Sequence, residues 1–162
     1  ELLFLPAGIF LAFLNSVMKK ILIVDDNEML LKAWERILSR ESCQVTTTAN
    51  PEEAIRLLKE QGADILISDI VMPKMDGFAL VKAAREKEHQ LKIVLTTGYV
   101  CDFSNIHFDQ DLKDLHILMK PYHSIQDVGR FVHKLIEEDE SINQDPKSIF
   151  GENNIHIHLW NL

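Results

Sequence analysis

Cysteine is nearly absent: Cys43 and Cys101 are the two examples in 162 residues. Neither stands at metal or redox spacing, which excludes a zinc module and a disulfide scaffold. Both suit a reducing cytoplasm, where a free cysteine behaves as a small core residue. With six glycines and five prolines, there is no collagenous or low-complexity tract. No G-x-G-x-x-G and no G-x-x-x-x-G-K-[ST] occurs, so nucleotide binding has no support. Positive charge is also short. Seventeen Lys and Arg face 25 Asp and Glu, a formal net charge of -8, which argues against direct binding to DNA. The longest apolar run, Leu2 to Leu14, falls well below the roughly twenty residues of a membrane-spanning helix. Glu1 has the wrong sign for the start of a signal peptide. "MKKILIVDD" at Met18 reads as a natural start, so residues 1–17 are expected to be an apolar extension of unclear role, with membrane association not favoured.

What is present alternates. Short apolar runs stand at "ILIV" 21–24, "ILIS" 65–68, "KIVLT" 92–96 and "HILM" 116–119, with a more polar β-branched run, "CQVTTT", at 43–48. Runs apolar on both faces are strands of a parallel sheet covered on both sides, and the polar run suits an edge. Helical patterns fill the gaps. Met29, Leu30, Ala33, Trp34, Ile37 and Leu38 define one face after Asn27. Asn50, Pro51 and Gly62 bracket a second helix. Phe78, Leu80, Val81 and Ala84 mark a third, and a Ser124–Asp127 cap opens a last one. Residues 100–115 are expected to hold a short or distorted helix, since Phe103, Ile106, Phe108 and Leu112 are irregularly spaced. The pattern predicts an α/β fold with helices on both faces of a parallel sheet. Residues 141–162 are expected to form a tail, with "NIHIHLW" a short strand or an apolar anchor. His156 and His158 are two potential ligands, too few for a metal set.

In such a sheet, ligands bind beyond the carboxyl ends of the strands, where strand order reverses. Asp25 and Asp26 follow the first strand, Asp69 the third, Thr97 the fourth and Lys120 the fifth. Three crowded carboxylates repel unless something offsets them. Lys120 offsets one, and a hard divalent cation such as Mg²⁺ suits the rest. The set fits phosphoryl transfer with an Asp as nucleophile and Thr97 as a hydrogen-bond donor.

"ILIVDDNE", "ILISDIVMPKMDG", "IVLTTGY" and "LMKPY" resemble, in order and spacing, the receiver domain of two-component response regulators. The resemblance spans about residues 19–139 and places the domain at 18–140. It implies a flavodoxin-like, doubly wound, five-stranded sheet of order 2-1-3-4-5. It also implies that Asp69 accepts a phosphoryl group from a sensor histidine kinase or a histidine phosphotransfer protein. Mg²⁺ would be held by Asp26, Asp69 and the Val71 backbone carbonyl, with Asp25 nearby or acting through water. Thr97 and Lys120 would sense and hold the phosphoryl group.

The implied protein is a signalling switch rather than an enzyme, acting on an unknown downstream protein, with homodimerisation possible. Gly77 is expected to supply a backbone geometry other residues resist. Ile117 stands where many relatives carry an aromatic residue, so the usual coupling of Thr97 to that aromatic is not expected. Tyr99 is placed to shield an acyl phosphate from water. Two rival readings are a phosphorylation-independent pseudo-receiver and an aspartyl-phosphate phosphatase. The missing D-x-D motif weighs against the second.

Overall fold

The computed structural model describes residues 18–86, 91–98, 115–122, 124–137, 148–150 and 156–158. The apolar segment 1–17, Tyr99, Cys101 and all of the expected 100–115 helix except Leu115, which opens a strand, lie outside the described residues. In chain order the elements are β1 (Lys19–Val24), α1 (Glu28–Leu38), β2 (Cys43–Thr48), α2 (Pro51–Gln61), β3 (Ile65–Asp69) and α3 (Gly77–Arg85), then β4 (Lys92–Thr97), β5 (Leu115–Met119), α4 (Ile125–Glu137), β6 (Ser148–Phe150) and β7 (His156–His158).

Side chains alternate across a strand, and here both faces are buried. Leu22, Leu66, Ile93, Leu95 and Ile117 turn to one face, where they meet Ala54 and Leu58 of α2 and Leu80, Val81 and Ala84 of α3. Ile21, Ile23, Ile65, Ile67, Val94 and Leu118 turn to the other. There they meet Leu31, Trp34 and Leu38 of α1 and Val128, Phe131, Val132 and Leu135 of α4. The five predicted strands run parallel in the order β2-β1-β3-β4-β5, the flavodoxin-like arrangement.

The sheet does not stop at five. β7 pairs parallel to β5, with His116 opposite His156, and β6 pairs antiparallel to β7, giving seven strands. The predicted five strands keep their order and are extended by two, because β5 as an outer strand would leave a row of unpaired N–H and C=O groups that a nearby extended segment satisfies. A correction concerns α1. Its buried stripe is Leu31, Trp34 and Leu38, and Met29, expected on the core face, is 80% exposed. Met29 lies in the first turn, before the helix settles onto the sheet.

The caps follow the sequence. Asn27 Oδ1 accepts from the Met29 and Leu30 amides, and Asn50 Oδ1 from the Glu52 amide. Ser124 Oγ accepts from the Asp127 amide and donates to Asp127 Oδ2. No helix among the described residues is long and apolar enough to cross a membrane.

Candidate functional site

Strand order reverses between β1 and β3, which continue the chain to opposite sides. Three carboxylates meet at that edge. Asp25, Asp26 and Asp69 each bring an oxygen within 4.8 Å of the others. Asp25 is buried, at 2% exposure, and its Oδ1 accepts from the Asn27 amide at 2.9 Å. Asp26 is exposed and Asp69 half-buried. Lys120, just beyond β5, reaches across the edge: Nζ lies 2.9 Å from Asp25 Oδ2 and 3.1 Å from Asp69 Oδ1. Three carboxylates and one ammonium leave a formal -2 (−3 + 1). Burial pushes the Asp69 carboxyl above the usual carboxylate range against the pull of Lys120, and Asp25 and Asp26 push the same way. The acids are hard oxygen donors, a set that suits Mg²⁺.

The loop after Asp69 is built by contact. The Ile70 amide donates to the Thr96 carbonyl at 2.9 Å, and the Gly77 amide to the Ile70 carbonyl at 2.9 Å. A Cβ on Gly77 would stand 2.4 Å from the Asp69 carbonyl oxygen. Glycine is required here by the close approach of α3 to the end of β3, not by a left-handed φ. Lys74, mid-loop, does take such a φ, at 70°, and Asp76 Oδ1 caps α3 at the Ala79 amide. Val71 sits on this bend, 54% exposed.

β3 and β4 are paired so that Asp69 lies opposite Thr96, and the Thr96 hydroxyl stands 3.4 Å from Asp69 Oδ1. Thr97 lies at the same strand end, buried, and its carbonyl accepts from the Lys120 amide at 2.6 Å. By alternation Thr97 shares the face of Ile93 and Leu95. Thr96 was not singled out in the sequence. Its signal is register, since paired residues of parallel strands point to one face.

A second addition is Tyr122. Its ring packs edge-on against Trp34, centroids 5.9 Å apart. Its hydroxyl is buried and, among the described residues, makes no hydrogen bond of acceptable geometry. An unsatisfied buried hydroxyl costs about 1–3 kcal/mol. Burial pushes the phenol well above its ordinary value, Thr96 beside it pulls the other way, and Asp25 and Asp69 add to the rise. The group is therefore an O–H donor at any physiological pH. Ile117 is fully buried in the sheet.

The response regulator receiver domain family model matches residues 21–126. The chain belongs to this family. The receiver domain is 32% identical over 119 residues to the response regulator receiver protein CpdR of Brucella abortus, covering 74% of this chain and 98% of CpdR. It is 29% identical over 122 residues to the sensor kinase CckA of the same organism, covering 74% of this chain but 13% of CckA. Among solved structures, a CheY-like receiver domain protein from Methanospirillum hungatei JF-1 superposes with a TM-score of 0.65 at 25% identity, over 74% of this chain and 94% of that one. Receiver domains of this family belong to two-component systems, and the flavodoxin-like fold is shared throughout.

Proposed function

We propose that this receiver domain is a phosphoacceptor: Asp69 takes a phosphoryl group from the phosphohistidine of a sensor histidine kinase or a histidine phosphotransfer protein. The observation that supports it most is the convergence of Asp25, Asp26, Asp69 and Lys120 at one sheet edge, with two acids sharing one ammonium. In the transfer, a carboxylate oxygen of Asp69 forms the new P–O bond. The P–N bond breaks, and the imidazole leaves with the electron pair.

Asp25, Asp26, Asp69 and the Val71 backbone carbonyl are the residues that would hold Mg²⁺. When bound, the ion neutralises the carboxylates and the developing charge on the phosphoryl oxygens. Lys120 moves from Asp69 toward the new oxygens while keeping Asp25, and Thr97 senses the group at the end of β4. The reading assigns no turnover of an external substrate, only self-catalysed phosphorylation and dephosphorylation. Output goes to a downstream protein. A net charge of -8 and the lack of a basic patch in the sequence support protein rather than DNA as that partner. The reading also places the domain in the cytoplasm.

The test is intact mass after incubation with a small acyl phosphate and Mg²⁺. Wild type gains one phosphoryl mass, and Asp69→Asn gains none. An unmodified wild type, or equal gain by Asp69→Asn, refutes the proposal and favours a module that works unphosphorylated. Sustained release of phosphate from a small ester would favour a phosphatase.

A further inference from the structure

Tyr122 holds a hydroxyl that the unmodified site does not satisfy. The ring is fixed by Trp34 at 5.9 Å and belongs to the core beneath α1 and α4. Its oxygen is buried, without a hydrogen bond of acceptable geometry among the described residues, and it faces Thr96. Thr96, for its part, directs its proton at Asp69 Oδ1 over a long 3.4 Å. The same Oδ1 already accepts from Lys120 Nζ at 3.1 Å. Two donors thus share one carboxylate oxygen, and the Tyr122 hydroxyl beside Thr96 is left over.

We infer that Tyr122 is a positioning residue, its O–H donating to Thr96 Oγ1 once a phosphoryl group stands on Asp69. This rests on Asp69 being the phosphoacceptor. A phosphoryl group brings three acceptor oxygens to a place that now offers one shared carboxylate oxygen. The Thr96 side chain turns to follow them, and its oxygen comes into line with the tyrosine O–H, a geometry it lacks beforehand. The chain Tyr122 O–H to Thr96 O–H to phosphoryl oxygen then fixes a hydroxyl that otherwise rotates. No bond other than hydrogen bonds changes, and the phenol keeps its proton throughout. Because the donor has no partner beforehand, its bond is made only in the modified state. It therefore favours that state instead of stabilising both alike.

The experiment uses the full chain and beryllofluoride with Mg²⁺ as a stable phosphoryl mimic, titrated against wild type, Tyr122→Phe, Thr96→Ala and the double variant. Phenylalanine keeps the ring against Trp34, so Tyr122→Phe melts at or above the wild-type temperature. It binds beryllofluoride roughly fivefold more weakly, the worth of one net hydrogen bond. Thr96→Ala loses more, and in its background Tyr122→Phe has no further effect, the mark of two residues acting as a unit. Equal affinity of Tyr122→Phe and wild type overturns the inference, as do losses that simply add. So does a Tyr122→Phe chain that melts clearly below wild type, because the hydroxyl would then have its partner beforehand. If wild type fails to bind, or Asp69→Asn binds equally well, the phosphoacceptor reading itself falls and takes this inference with it.

Discussion

Asp69 is under opposing pulls. Lys120 lies 3.1 Å away, yet burial and the two neighbouring acids hold the carboxyl above its ordinary range. A raised carboxyl pKa in the folded chain means the ionised form is less welcome there than in the unfolded chain, so at neutral pH the charge works against folding. Asp69→Asn removes that charge and leaves Lys120 paired to Asp25 at 2.9 Å. In metal-free buffer at neutral pH, Asp69→Asn is expected to melt above wild type. Adding Mg²⁺ should reverse the order, since an ion bound only by the folded state stabilises the wild-type acid set more. Thermal melts with and without Mg²⁺ check both halves.

At this scale the sequence was legible for the charged residues and did not show the approach of Thr96. Asp25, Asp26, Asp69 and Lys120 could be placed together because parallel strands end on one edge. "TT" at 96–97 offered two hydroxyls on opposite faces. That Thr96 stands beside Asp69 follows from the Asp69–Thr96 register, and run lengths alone do not fix it.

Among the elements, α3 and the loop before it have the least slack. The obstacle at Gly77 is the Asp69 main chain, 2.4 Å from a methyl placed there, and a backbone atom in a central strand cannot swing aside. Gly77→Ala is expected to cost about 1–3 kcal/mol in urea unfolding, and to slow phosphorylation by displacing the residue that carries it. A merely local strain would lower stability and leave phosphorylation untouched. The helix caps were readable in advance because Asn27, Asn50 and Ser124 act on amides two or three residues away. The stripe of α1 was less so. Met29 fits the periodic pattern, but it sits a turn too early to reach the sheet and is 80% exposed.

For the molecule as a whole, the least expected feature is the pair of strands at the β5 side. A short strand was one of the two readings of "NIHIHLW", which contains β7. The three-residue β6 carries too short an alternation to be separated from a polar tail, and the pairing of β7 with β5 spans some forty residues of chain. With β7 in place, β5 is a central strand. Removing residues 141–162 should open its edge, and an unpaired edge on an apolar strand is a template for other strands. Sedimentation of the shortened chain is expected to show association rising with concentration, where the full chain shows less. Equal behaviour would mean that β7 is not what closes the sheet. The fold is also joined across its width, since Trp34 on α1 meets Tyr122 beyond β5 edge to edge at 5.9 Å. The chain has two tryptophans, and replacing Trp160 with Phe leaves Trp34 as the sole indole. If the proposed occupancy of the edge alters the surroundings of the Tyr122 ring, Trp34 emission in that variant is expected to change on adding Mg²⁺ and beryllofluoride, an optical gauge that needs no label. An unchanged spectrum would show that the ring pair does not sense the site.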